Sequence, residues 1–136
     1  MIIYKFASIC KIQLNKIIDN GLLTLQLLNV DTILLENIVA LSLFRKYGHD
    51  LDNERVYFYN ANVEIDFYVP EEELAIQVAY SIADERTKTR EVGALTKLPN
   101  IYPCHRRIII TYDEDNTITD AHGSIEVIPC WKWLLN

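Results

Sequence analysis

Glycine is scarce in this chain, with four in 136 residues. None belongs to a G-x-x-x-x-G-K-[ST] loop, so the polypeptide carries no phosphate cradle of that kind, and nucleotide hydrolysis by it is excluded. Cysteine is scarce too. Cys10, Cys104 and Cys130 are odd in number and far apart, which argues against a disulfide framework. The run Cys104-His105-Arg106-Arg107 suggests a metal or phosphate contact, but no second Cys/His pair at ligand spacing accompanies it, which argues against a zinc site. Long apolar runs are missing: none reaches the roughly 18 residues that span a bilayer, and residues 1–10 lack the build of a signal peptide. A cytoplasmic chain without membrane attachment is the expectation. Positive charge is in deficit, 13 Lys and Arg against 19 Asp and Glu. The net charge of −6 argues against broad attraction to nucleic acid, while leaving room for a local basic patch. There is no internal repeat and no low-complexity segment.

What is present is globular. Half of the residues are hydrophobic and 24% are charged, and a chain of this length folds as one domain that buries roughly two thirds of its unfolded surface. Residues 1–28 have no clean period, with a turn signal at Asp19-Asn20-Gly21. From Asp31 or Thr32, either of which can cap a helix, apolar residues run from Ile33 to Phe44 and on to Tyr47-Gly48. Gly48 suits the position just past a helix end. This helix is apolar on most sides and is expected to be buried, with Glu36 and Asn37 as unusual polar members.

Strand signals follow at residues 55–59, 63–69 and 74–80, with turns at 60–62 and 70–73. Asp84 can cap a second helix over residues 85–98, which Pro99 and Pro103 end. Further strands are expected at 107–112 and 124–128, a turn at 113–116, and a closing helical turn at 131–135. A strand, a crossover helix and a strand imply a parallel pair, whereas the first three strands make an antiparallel meander. The whole reads as a mixed sheet with helices packed on it.

One stretch, NVEIDFYVPEEELAIQVAYS, carries the chemistry. On a regular strand Glu64 and Asp66 share a face, opposite Val63, Ile65 and Phe67. A hairpin loop over residues 70–73 sets Val69 against Leu74, which places Asp66 opposite Gln77 and Glu64 opposite Ala79. Two carboxylates about 7 Å apart repel by roughly 2–3 kcal/mol at an effective dielectric near 20. Such a pair asks for a cation, a metal or a proton.

The runs ILLENIVALSLFRKYG, VYFYNANVEIDFYV, AIQVAYSIADERTKTREVGAL and IEVIPCWKWLL, in that order, resemble the C-terminal domain of bacterial and archaeal AAA-type ATPases of unknown function. That domain belongs to the PD-(D/E)XK, restriction-endonuclease-like, nuclease superfamily. The resemblance runs from about Lys16 to Leu135. It implies a three-layer α/β fold whose mixed sheet has a helix-strand-strand-strand-helix-strand core. Residues 1–30 would be a lead-in and 31–136 the nuclease-like domain, a single domain overall. Full-length relatives carry an ATP-binding module before this domain, so the resemblance makes the chain a stand-alone truncated relative or a fragment.

In active members of that superfamily an aspartate and a Glu-x-Lys on adjacent strands hold a divalent metal and activate water, often with a helical glutamate. The resemblance puts Asp66 at the aspartate and Glu36 at the helical glutamate, making these two the candidate ligands for Mg or Mn. Gln77 stands where the metal-binding glutamate belongs and Ala79 where the lysine belongs. A neutral amide is a weak ligand for a hard cation, and alanine supplies no charge. Lys88 and Arg90 on the following helix are the candidates to replace the lost cation, with Glu64 in support. The resemblance also marks Thr87, Arg90 and Glu91 as family positions.

Each of these residues has a plainer reading. Gln77 can hydrogen-bond across the sheet, Glu36 can pair with Arg90, and Arg90-Glu91 can be an ion pair on the helix surface. Trp131 and Trp133 read as packing, and Glu71-Glu72-Glu73 as a solvated turn. Two functions therefore stay open. One is a degenerate, non-catalytic nuclease-like module, protein-binding or regulatory, whose partner is an ATPase encoded elsewhere or a second copy of itself. The other is a Mg-dependent DNA endonuclease with an altered site. A basic groove beside Asp66, lined by Lys88, Arg90 and Arg106 or Arg107, would favour the second; an exposed apolar patch would favour the first.

Overall fold

A computed structural model describes residues 3–5, 30–47 and 55–136. Seven strands form one mixed sheet: β1 (Ile3–Lys5), β2 (Tyr57–Asn60), β3 (Glu64–Val69), β4 (Leu74–Val78), β5 (Arg106–Thr111), β6 (Asn116–Asp120) and β7 (Gly123–Pro129). Their spatial order is β1-β2-β3-β4-β5-β7-β6. Among the described residues three α-helices accompany them: α1 (Val30–Tyr47), α2 (Glu85–Lys97) and α3 (Cys130–Leu134). The turn signal at 19–21 and the helix end at Gly48 lie outside the described residues.

The expected meander β2-β3-β4 is antiparallel, and β4 runs parallel to β5 across the α2 crossover. The β3–β4 hairpin has the expected register, Val69 against Leu74. A short 3-10 turn, Pro70–Glu72, closes it, and Glu73 takes the left-handed conformation (φ 47) that lets the chain reverse. β5 also pairs parallel with β7. The central strands β4 and β5 are buried almost throughout because both of their faces are covered.

Alternation along these strands sorts the core into two layers. Phe67, Val69, Ile76, Val78, Ile108 and Ile110 pack with Leu35, Val39 and Leu43 of α1 and with Cys130 and Trp133 of α3. Tyr68, Ala75, Ala79, Ile109, Ile125 and Val127 pack with Ala94 and Leu95 of α2 and with Leu98. Helices thus cover both faces. Trp133 is a packing residue as expected, donating from Nε1 to Ser42 Oγ at 3.1 Å, whereas Trp131 is exposed.

Four expectations need correction. Asp31 and Thr32 lie inside α1, which begins at Val30, so neither is its cap. That helix is not buried all round: Leu34, Ile38, Leu41 and Phe44 are exposed on the side away from the sheet. The turn at residues 113–116 leads into a strand, because β6 pairs antiparallel with β7 through a tight hairpin. Gly123 (φ 110) sits where that hairpin turns and has a conformation that side chains disfavour. Finally, β1 lies within the segment read as a lead-in and pairs with β2, so that segment contributes to the same sheet.

Asp84 caps α2 as its sequence suggests, with its Oδ2 accepting from the Thr87 backbone N–H at 2.9 Å. At the other end of α2, Arg107 is buried on β5. It meets Asp120 of β6 through two bonds, Nη1 to Oδ2 at 2.5 Å and Nη2 to Oδ1 at 2.8 Å. Thr96 of α2 donates to the same carboxylate at 2.7 Å. Hydrogen bonds from Arg107 hold the Asp120 carboxyl well below its usual range. This pair fastens the edge hairpin and α2 to the centre of the sheet. Asp120→Ala should therefore destabilise the fold by about 3–5 kcal/mol, because it leaves a buried guanidinium unpaired. Urea unfolding measures this, and a loss below about 1 kcal/mol would mean that the pair does not bear on stability.

Candidate functional site

The site forms where β3 and β4 part. Between Tyr57↔Tyr68 and Tyr59↔Ile65 the register of β3 against β2 shifts by one residue, so Asp66 and Phe67 together face Phe58. This is a β-bulge, which bends its strand and re-aims side chains. It also breaks the alternation: Ile65 belongs to the core layer under α2 and Phe67 to the layer under α1, not to one face as a regular strand would require.

On the other side of β3 the backbone ladder with β4 ends at Phe67↔Ile76. Side chains carry the pairing onward. Gln77 Oε1 accepts from the Asp66 backbone N–H at 2.8 Å, and Asp66 Oδ2 accepts from the Val78 backbone N–H at 2.7 Å. Gln77 Nε2 donates to the Glu64 carbonyl and to Glu91 Oε2, both at 2.9 Å. Gln77 and Asp66 stand in for ladder bonds that the divergent strands no longer make, and they give the Asp66 and Val78 N–H groups their acceptors. The reading of Gln77 as a hydrogen bond across the sheet holds.

The gap opens a cavity of about 430 Å³, lined by Glu36 of α1, Glu64 and Asp66 of β3, Gln77 and Val78 of β4, and Arg90, Glu91 and Lys97 of α2. Of the residues singled out from sequence, Glu36, Glu64, Asp66, Gln77 and Arg90 thus come together. Lys88 does not line the cavity; its ammonium is 3.9 Å from Glu85 one turn earlier. The suggested groove of Arg106 and Arg107 does not form, since Arg106 pairs with Glu126 on the surface and Arg107 is committed to Asp120. Arg90 does not bridge to Glu36 in an ion pair. It binds Glu91 Oε1 through Nε at 2.9 Å and Nη2 at 2.6 Å.

Glu91 is the residue that sequence reasoning misplaced. It is no surface partner but a buried carboxylate held between Arg90 and Gln77. A signal existed: Glu91, Ala94, Leu95 and Leu98 follow the spacing of one helix face, so Glu91 continues the buried stripe. Lys97, on the cavity's lining, was also passed over.

Four carboxylates therefore share one cavity with two cations. Burial, then repulsion from Glu64 and Glu91, pushes Glu36 up to about 7, against the pull of Arg90. Burial, then Glu36, raises Asp66 well above its usual range, although the Val78 N–H favours its charged form. Glu91 is raised by burial, with the Arg90 hydrogen bond opposing. Nevertheless, among the described residues no three Asp, Glu, His or Cys side chains converge closely enough to hold a metal ion. The cavity therefore offers no ready-made cage of three such ligands, and a Mg or Mn ion there would have to rest on one or two carboxylates and water.

The chain is 35% identical over 114 residues to the uncharacterised protein MJ1544 of Methanocaldococcus jannaschii, a match that takes in 75% of this chain and 24% of that protein. It spans about a quarter of that relative's length. No family model and no solved structure matches the chain. Among the described residues no helix is long and apolar enough to cross a membrane.

The raised carboxylates make a prediction about stability. The folded chain keeps protons on Glu36, Asp66 and Glu91 at pH values where the unfolded chain has released them. For Glu36 the contribution is full below the ordinary carboxylate pKa and is lost as pH rises through about 7, on the order of 3 kcal/mol; Asp66 and Glu91 act in the same direction. The melting temperature should fall between pH 5 and about 7.5, and Glu36→Gln should flatten that fall. A melting temperature that rises over this window would show that the cluster is not carrying shared protons.

Proposed function

We propose that this domain is a non-catalytic relative of the restriction-endonuclease-like nucleases, retained as a protein-interaction module of the kind that accompanies AAA-type ATPases. The order α1-β2-β3-β4-α2-β5, with helices on both faces of a mixed sheet, supports the fold assignment. The observation that carries the loss of catalysis is the state of Gln77. Its oxygen accepts from Asp66 and its amide nitrogen donates to Glu64 and Glu91, so the residue at the metal-ligand position serves as a clamp. Ala79, at the lysine position, is buried and brings no charge. The exposed apolar face of α1 supports a binding role.

One observation favours the alternative, a divalent-metal-dependent DNA endonuclease with an altered site: Glu36, Glu64, Asp66 and Glu91 still surround a single cavity. An assay on duplex, branched and single-stranded DNA with millimolar Mg²⁺ or Mn²⁺ separates the readings. The expected result is no cleavage by wild type. In calorimetry neither ion should bind in a way that Asp66→Ala abolishes. Cleavage that disappears in Asp66→Ala would sink the non-catalytic reading. Gln77→Glu should destabilise the domain at neutral pH by about 1–3 kcal/mol without conferring activity, because it removes both amide donors and adds a carboxylate beside Glu91.

A further inference from the structure

We infer that α1 is a homodimer interface, in which two copies of this chain pack the helix antiparallel against itself. The inference rests on the interaction-module reading and names its partner. Leu34, Ile38, Leu41 and Phe44 are 55%, 42%, 56% and 46% exposed, a continuous apolar stripe on a helix whose opposite face already fills the core. Solvent-facing helix surfaces are ordinarily polar, so a stripe of this length marks a contact.

The charges flanking the stripe specify what covers it. Asp31, Ile38 and Arg45 follow at seven-residue spacing with Leu34 and Leu41 between them, the pattern of a coiled-coil seam. Asp31 lies in the first turn and Arg45 and Lys46 in the last, all exposed, and neither Asp31 nor Arg45 has an ion-pair partner among the described residues. When two copies lie antiparallel about a two-fold axis at Ile38, Asp31 of one comes level with Arg45 of the other. Both ends of the seam are then closed by opposite charges, and Leu34 comes within one residue's rise of Leu41 on either side of the centre. The helix dipoles oppose as well. A parallel arrangement would set like charges together. The surface is therefore complementary to itself, as a two-fold interface must be.

Light scattering and sedimentation on the full chain at about 100 µM test this, with circular dichroism confirming that each variant folds. Wild type should be a dimer, and Leu34→Glu with Leu41→Glu a folded monomer, since both positions are exposed in the single chain. Arg45→Asp should weaken association about tenfold by facing Asp31 with a like charge, and adding Asp31→Arg should recover most of that loss. A monomeric wild type overturns the inference. So does a dimer indifferent to the leucine changes, which would use another surface, or a charge swap that gives no recovery. None of these results touches the non-catalytic reading, which the DNA cleavage assay decides separately.

Discussion

The parting of β3 from β4 is the constraint on which the rest of the site depends. Two neighbouring strands can separate only if the backbone groups they release find other partners, because an orphaned N–H inside a protein costs free energy comparable to a lost hydrogen bond. Here two side chains supply them. Gln77 meets the Asp66 N–H, and Asp66 meets the Val78 N–H. The bulge at Asp66 and Phe67 turns the same stretch away from its register with β2. Without the bulge the ladder would run on and the cavity would close. Without the two side chains the bulge would leave β4 unsatisfied.

Those bonds also explain how charged residues survive in a place that disfavours charge. Glu36, Asp66 and Glu91 all have raised proton affinity, chiefly through burial. Arg90, which holds Glu91, offsets part of their repulsion, and Lys97 lies on the same cavity. Asp66 is both a member of the carboxylate cluster and an acceptor for the sheet, so losing it would orphan the Val78 N–H as well as remove a carboxyl from the cavity. Gln77 is similarly tied to three partners. Asp66, Gln77 and Glu91 each carry hydrogen bonds that tie β3, β4 and α2 together around the cavity.

Much of the framework was legible in the sequence, for local reasons. The β3–β4 hairpin followed from apolar strands around a Pro-Glu-Glu-Glu turn, and the capping aspartate Asp84 announced α2. A helix between two strands implied the parallel pair β4–β5. What could not be read was set by contacts between distant segments. The bulge adds one residue without any change in composition, so the alternation of Ile65 and Phe67 looked regular. Glu91 looked like half of a surface ion pair because its neighbour is an arginine. The edge strand β6 has a single apolar residue, Ile118, so it lacks the apolar period that reveals a strand. Arg106 and Arg107 looked alike, yet strand alternation sends one to solvent and the other to Asp120.

The reading of α1 failed in a more instructive way. A helix apolar on most sides has two physical explanations, burial in a large core or burial by a partner, and periodicity alone cannot choose between them. The fold chooses. A sheet of this kind covers only one side of α1, with Leu35, Val39, Ala40, Leu43 and Tyr47 buried against it. The apolar residues on the far side then have no partner within the described fold, and the charges bracketing them are arranged as a self-complementary pair. The surplus of apolar residues that first suggested a buried helix thus points outward, to a second molecule, while Glu36 on the flank of the same helix points to the cavity. One helix therefore joins the cavity to the exposed apolar surface, and association through α1 would fix the position of Glu36 in both copies.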